Sequence, residues 1–516
     1  MIERDRIESS SQTLDHYERV DLASLTHFFL FINPKSGNNQ GKQILQLGLD
    51  VIQFKSHQHV KVHVHNLFDD SDRDSGFDSI KSVLESKRKL GKMEQKTHLC
   101  VAGGDGTLTF ILSHLESLSI PTSELFFSLL PFGTGNDLAR FLGTWHLDKQ
   151  ATRDVMRGGH LLSLVTQQLH GHPQVLDVWD VTIVTDEAAG GGVRKFVSRG
   201  NGSEDGLGPP VETLRQKMIN NLAVGAQAYV GGDFEGHRTK SRVLNIAWYV
   251  AETIKWGLFR KLPPVSLSLE RIENVGGEGP IWATVECEKS TCVLRRRQSS
   301  LSHRAEPSLN SKNDPTSSAP TFQPRTLAYQ PIELDVQNIP SLWGRLLNLW
   351  DNAEAGSAFA TNSSTMAPPP TDPQNWVKQS ASDRKLEVFV IEHRRSYMLK
   401  ELALDRKNLA RIGQFNDGVR IVFRDEEKEG EDEVVIREEE ENPPVHGEGE
   451  GAVVRTGRSE SNTRRRSERS ARSSKKEVVV RVMVDGEFYE VKRPRWIEIK
   501  MWEQITIMGP PQEKGH

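Results

Sequence analysis

Two stretches decide the reading: Val101–Leu112 (VAGGDGTLTFIL) and Leu130–Leu142 (LPFGTGNDLARFL). In each, a short apolar run stops at a Gly-rich turn and a helical pattern follows. Leu99–Ala102 reads as a buried strand entering Gly103-Gly104-Asp105-Gly106-Thr107 and a helix through Leu115. Phe126–Leu130 reads as another, leading through Pro131-Phe132-Gly133-Thr134-Gly135-Asn136-Asp137 into a helix over Leu138–Leu142. A third unit lies upstream. Thr26–Ile32, β-branched and aromatic, ends in Asn33-Pro34-Lys35-Ser36-Gly37 before a helical pattern at Ile44, Leu45, Leu47 and Leu49. Val60–Val64 adds a strand, in which Lys61, His63 and His65 alternate as a solvated face rather than a metal site. Strand, glycine turn and helix in repetition make a parallel α/β sheet with ligand loops at the carboxyl ends of its strands.

From about Leu176 short strand-like runs take over: Leu176–Val184, Ile281–Cys287, Ile332–Val336, Leu386–Ile391, Val419–Phe423, Val478–Val484 and Trp496–Trp502, with one helical stretch, Ser241–Trp256. The expected class is therefore α/β. A parallel-sheet nucleotide-binding domain would cover residues 25–170, after a disordered N-terminus over 1–24, and a mainly antiparallel β accessory domain would cover 171–507. Four stretches hold too few apolar residues to offset the entropy of ordering, and disordered insertions are expected at about 186–210, 295–325, 352–382 and 425–476. The last opens acidic (Asp425–Glu441) and closes basic (Arg464–Lys476). It reads as a solvated spacer or a phosphorylation-regulated contact for protein partners, and its basic block as either a surface contact for acidic phospholipid head groups or a phosphorylatable spacer. Trp179, Trp248 and Trp350 are expected in the core.

Composition excludes several classes. The 516 residues carry 66 Lys+Arg against 70 Asp+Glu, a net charge of -4, so no basic excess marks a nucleic-acid binder. Cys100, Cys287 and Cys292 are too few for a disulfide framework or paired zinc modules, which predicts free thiols and no structural metal. No apolar run approaches the ~18–20 residues of a spanning helix, and Met1–Val20 lacks an apolar signal core. A soluble cytoplasmic protein is expected.

The loops suggest an anion site. Glycine lets a polyphosphate approach the main chain, and each following helix offers free N–H groups and the positive end of its dipole. Lys35, Ser36, Thr107 and Arg140 add donors, and Asp105 beside an anion makes sense with a divalent metal or water between them. The spacing is neither the Gly-x-x-x-x-Gly-Lys-Ser/Thr loop nor the protein-kinase set.

These residues resemble eukaryotic diacylglycerol kinases, within the wider lipid-kinase and NAD-kinase superfamily. Phe29–Gly41 (FLFINPKSGNNQG) is similar to the family's opening strand and loop, and the two stretches quoted first are similar to its second and third motifs. Further likenesses are Leu176-Asp177-x-Trp179, Asn220–Ala228 turning at Gly225, Asn338-Ile339-Pro340-Ser341 with Leu349-Trp350, Leu386-Glu387-Val388, and Asp485-Gly486-Glu487. The resemblance covers residues 27–505 apart from the insertions.

The resemblance implies a kinase that moves the γ-phosphoryl of ATP to diacylglycerol, giving phosphatidic acid and ADP, with Mg2+. Such an enzyme serves lipid signalling and glycerophospholipid metabolism, in peripheral contact with a membrane. ATP would be held by Asn33, Pro34, Lys35, Ser36, Gly37, Gly103, Gly104, Asp105, Gly106, Thr107, Gly133 and Thr134. Asp105, Asp137, Arg140 and Asp177 would form the charged network that organises Mg2+, and Glu487 would be the general base. Asp105, Asp137 and Arg140 thus join Glu487 as the catalytic set. Gln227 departs from the acid that animal enzymes carry there, and Asn38 from a basic residue in bacterial relatives. The alternatives are a kinase acting on sphingosine or ceramide, and a catalytically silent scaffold.

Overall fold

Phe28, Leu30 and Ile32 pack on one side of the first strand and Phe29 and Phe31 on the other, all buried. A strand apolar on both faces belongs inside a sheet that helices cover twice. In the computed structural model, that strand, β1 (Thr26–Ile32), lies between β3 (His57–Asn66) and β4 (Thr97–Gly103), parallel to both. β5 (Leu125–Pro131) follows β4 in parallel, and β2 (Val51–Phe54) closes the edge antiparallel to β3. Helix α1 (Gln40–Leu45) and the helix His160–Leu169 cover one face. Helices α2 (Asp70–Lys89), α3 (Asp105–Ser117) and α4 (Asp137–Phe141) cover the other. The chain passes from β1 to β3 on one side, then back to β4 on the other. Order thus reverses between β1 and β4, and a crevice opens at their carboxyl ends.

The structure describes residues 25–36, 40–46, 48–54, 57–92, 95, 97–133, 136–144, 160–198, 206–239, 242–275, 280–283, 325–327, 331–342, 345–346, 348–355, 359–360, 369–401, 409–424 and 478–510.

The C-terminal half packs two mainly antiparallel sheets face to face. One continues the first sheet. Its last strand, Pro494–Met508, pairs β5 in parallel at Thr506 and Ile507 and runs antiparallel along β6 (Pro173–Thr185). Toward its other end it pairs Gly418–Phe423. The second sheet includes β7 (Gly192–Lys195), β8 (Asn221–Gly225), Glu333–Gln337, Lys385–Ile391 and the hairpin Val479–Val484 with Glu487–Lys492. Trp179, Ile183, Leu334, Val388, Val482 and Ile499 fill the space between the sheets. The α/β class is as expected, but the two halves share one sheet because the last strand belongs to both.

Some expectations need correction. Residues 192–195, within the 186–210 stretch expected to be disordered, form β7 against Glu487–Lys492, with Val193 1% exposed. Pairing on an open sheet edge orders a stretch too glycine-rich to order itself. Within 352–382, residues 369–382 are placed, with Thr371 and Ala381 buried and Trp376 Nε1 donating to Pro370 O at 2.8 Å. Residues 1–24, 295–324 and 425–476 lie outside the described residues, as do Cys287 and Cys292. The Lys61, His63 and His65 face is solvated only in part, because α2 lies beside it: His65 is buried, and Lys61 and His63 are half-buried. His65 Nδ1 sits 2.9 Å from Asp72 Oδ1, and the His63 ring stacks on Phe29 at 4.5 Å. Trp179 and Trp350 are fully buried as expected, whereas Trp248 is 42% exposed.

Burial has an acid–base consequence in β4. His98, packed against Phe28 and Phe126, is pushed down to about 4 by loss of water first and by the Lys87 charge second. An unfolded histidine titrates near 6.5. Below that pH the unfolded chain takes up a proton that the fold refuses, so stability falls as pH drops toward 4. The difference amounts to roughly 3 kcal/mol. Thermal melts across this range are expected to show a falling midpoint, and His98→Phe to flatten part of the slope. An unchanged slope in the variant would contradict this.

Candidate active site

The loop after β1 is braced by Asn33. Its N–H donates to Ala102 O at 3.0 Å, its Nδ2 to Thr107 Oγ1 at 3.3 Å, and its Oδ1 accepts from Lys35 N at 3.0 Å. Ser36 N donates to Asn33 O at 3.2 Å, and Pro34 completes the turn. Lys35 Nζ stands 4.3 Å from the Phe68 ring centre, at the crevice side of the next strand's end. This loop therefore meets the loop after β4 through the Asn33–Thr107 bond.

The loops after β4 and β5 touch backbone to backbone. Phe132 N and Gly133 N both donate to Gly103 O, at 2.9 and 3.2 Å. A Cβ on Gly133 would lie 2.6 Å from Gly104 Cα, so no side chain fits there. Asn136, in the left-handed region at φ 54°, fixes the turn by donating Nδ2 to Pro131 O and Gly133 O at 3.0 and 2.8 Å. Gly106 and Thr107 then lie in the first turn of α3. Gly37, Thr134 and Gly135 lie outside the described residues.

Asp105 opens α3 and draws three donors to one oxygen. Its Oδ2 accepts from Asp137 N at 2.9 Å, Leu138 N at 3.4 Å and Asn220 Nδ2 at 2.9 Å. Among the described residues Oδ1 accepts none. Burial raises this carboxyl above its ordinary value, against those hydrogen bonds. Asp137 and Arg140 occupy the single short turn of α4, so the N-terminus of α4 is tied to Asp105.

Asn220 comes from the other half of the molecule, and its backbone is held by a second acid. Asp485 accepts from Ile219 N at 2.7 Å, Asn220 N at 2.8 Å and Asn221 N at 3.1 Å. Asp485 and Gly486, both at positive φ, form a two-residue hairpin turn, which Asp-Gly favours. The Asp485 carboxyl is pushed up to about 7, by burial first and with the Asp105 charge adding to it. Glu487 begins the next strand, its side chain 40% exposed. Its Oε1 accepts from Lys195 Nζ at 2.6 Å, and its Oε2 lies 2.7 Å from the Tyr489 hydroxyl.

Asp177 goes elsewhere. It is fully buried on β6, accepting from Gln504 Nε2 at 2.8 Å and Arg384 N at 2.7 Å. Burial raises it, and among the described residues neither Asp137 nor Arg140 is its partner. Gln227 is also buried, its N–H donating to Glu333 Oε2 at 2.7 Å. Sequence reasoning gave no role to Asn220, Lys195 or Tyr489 and treated Asp485 only as part of a turn. The Asp-Gly pair was the one available signal, because it fixes a hairpin at this spot. Lys195 had none, lying in a stretch expected to be disordered.

Residues 27–167 match the family model described as the diacylglycerol kinase catalytic domain. The chain is similar to human diacylglycerol kinase zeta, 33% identical over 149 residues, which is 28% of this chain and 14% of that protein. It is also similar to rat diacylglycerol kinase zeta, 30% identical over 212 residues, 40% of this chain and 18% of that one. The chain thus spans less than a fifth of the length of these relatives. A solved structure from Bacillus anthracis str. Sterne, provisionally named a diacylglycerol kinase, is a looser likeness: TM-score 0.38 and 14% identity, over 95% of this chain and 98% of that one. The crevice loops after β1, β4 and β5 all lie in residues 27–167, the segment that is similar to the diacylglycerol kinase catalytic domain.

Proposed function

We propose that the protein transfers the γ-phosphoryl of ATP to the free hydroxyl of diacylglycerol, giving phosphatidic acid and ADP. The observation that carries this reading is the Asn220 bridge, which joins Asp105 on the phosphate-type loops to the hairpin bearing Glu487. Residues 25–170 would supply the ATP side and 171–507 the lipid side. The work would be done at a membrane met peripherally from the cytoplasm, within lipid signalling and glycerophospholipid metabolism.

In this reading the ATP phosphates and ribose lie against Asn33–Ser36, Gly103–Thr107 and Gly133. The approach of Gly104 to Gly133 leaves main chain rather than side chains facing them. Gly37 and Thr134 would complete the cradle. Arg140, one turn into α4, would offset charge on the transferring group. Glu487 takes the hydroxyl proton as the oxygen's electron pair forms the new bond to the γ-phosphorus. The bond from that phosphorus to the bridging oxygen breaks, and ADP leaves with its electron pair. Lys195 and Tyr489 hold the Glu487 carboxylate in one orientation. Asp177 has no contact with ATP in this account.

The residues fit a magnesium ion. Among the described residues Asp105 Oδ1 accepts no hydrogen bond, and burial raises both Asp105 and Asp485 toward the neutral form, so a divalent cation there would offset that cost and favour the carboxylate. Among the described residues no group of three or more His, Cys, Asp or Glu is gathered as a metal cage. Asp105 would therefore hold the ion together with substrate phosphates and water. When bound, Mg2+ supplies neutralisation of charge on the phosphates.

Labelled-phosphate transfer in mixed micelles, with sphingosine and ceramide as competing acceptors, is expected to label diacylglycerol alone. Label on another lipid would change the substrate, and none on any lipid would favour the scaffold. Glu487→Gln is expected to lower kcat by at least about 100-fold while ATP still binds; retained turnover would remove Glu487 as the base. Gly133→Ala, which crowds Gly104, is expected to weaken ATP binding by at least about tenfold. Unchanged affinity would move the nucleotide away from this loop.

A further inference from the structure

The helix Arg242–Ile254 is inside out for a helix that faces water. Its inward side is largely polar: Asn245, Glu252 and Thr253 are all less than a tenth exposed, beside Tyr249, which packs on Phe234. Asn245 Oδ1 accepts from Thr239 N at 2.7 Å, and Glu252 accepts from Lys255 Nζ at 2.6 Å. Its outward side is apolar: Leu244, Ile246, Trp248, Val250 and Ile254 are 53, 56, 42, 39 and 42% exposed. The turn that follows adds Leu258 at 59% and Phe259 at 79%. An ordinary surface helix points such residues at the core. Single exposed apolar side chains are common on proteins, but a contiguous ridge of them marks an interaction surface.

Charge says what the ridge meets. Arg260, Lys261, Arg394 and Arg395 are exposed, Arg260 also donating to Asp233 Oδ2 at 3.1 Å. Arg394 Nη1 donates to Arg260 O at 3.0 Å, which gathers this basic group at the end of the ridge beside Phe259. The chain as a whole carries -4, so the positive group is local. An apolar ridge with cations at its margin suits a bilayer surface, with apolar side chains at the headgroup–acyl boundary and cations on anionic headgroups. The helix reaches the hairpin of the proposed base through one neighbour. Its packing partner, the helix Ala226–Glu235, leaves the strand held by Asp485 and ends at Glu235, within electrostatic reach of Lys195 and Glu487.

We propose that the ridge from Leu244 to Phe259, with its basic end at Arg260, Lys261, Arg394 and Arg395, docks the protein on an anionic membrane surface. Its purpose rests on the proposed lipid substrate, but its test does not. The full chain would be sedimented with vesicles of phosphatidylcholine, alone or mixed with phosphatidylserine, with neither diacylglycerol nor nucleotide present. Wild type is expected to bind the mixed vesicles, more weakly in high salt. Leu258→Ser combined with Phe259→Ser, both on an exposed turn, is expected to cut partitioning at least about tenfold with an unchanged melt. Lys261→Glu with Arg395→Glu is expected to abolish the preference for phosphatidylserine. Wild type left in the supernatant, or variants that bind like wild type, would overturn the proposal. So would a dimer that the serine variant dissolves, since a second copy would then be the occupant. Vesicle binding without diacylglycerol phosphorylation would sink the proposed function and leave the surface standing. Phosphorylation in micelles without vesicle binding would do the reverse.

Discussion

Asn220 gives its side-chain amide to Asp105 and its backbone N–H to Asp485, and through that residue the two halves of the molecule hold each other. Both carboxyls are raised by burial, and the Asp105 charge adds to the cost of charging Asp485. A neutral amide between them supplies a donor without adding another charge, and in surroundings with little water such bonds count for more than at the surface. Four other backbone N–H groups, from Asp137, Leu138, Ile219 and Asn221, also converge on these two acids. The loop geometry and the hairpin geometry are therefore not independent, and displacing either acid disturbs both.

The shared sheet reinforces this coupling. Pro494–Met508 lies beside β5, whose carboxyl end carries the Gly133 turn, and along β6, whose Trp179 sits between the sheets of the second half. A hydrogen-bonded ladder running through both halves restricts the large rigid-body motion expected where two domains meet only at a surface.

The strands that bear the crevice loops were legible in the sequence because they are buried on both faces. Phe28–Ile32, Leu99–Ala102 and Phe126–Leu130 have no polar side to confuse them, and glycine ends two of them abruptly. Asp105 and its glycine turn were legible for the same reason, but the Asn220 and Asp485 partners around them were not. What could not be read was pairing at a distance. Gly192–Lys195 is too short and glycine-rich to announce a strand, yet it brings Lys195 to Glu487. Helix α2 was missed because Phe77, Ile80 and Leu84 are its only buried large apolar residues, so the histidines beside it read as solvated. Asp177 sat in a motif like the others, but its strand carries it to Gln504 and the segment before Lys385 instead of to α4. Trp248 looked like core because tryptophan commonly is, and only the polarity of Asn245 and Glu252 on the other side of the helix shows otherwise.

The central claim, that Asp105 and the Glu487 hairpin work as one site through Asn220, is tested most directly by Asn220→Ala. The measurement is kcat for phosphoryl transfer beside ATP affinity and the thermal midpoint. The account predicts a kcat lower by at least about tenfold and a lower thermal midpoint, because buried Asp105 loses a donor, with ATP affinity close to wild type. An unchanged kcat in a folded variant would contradict it.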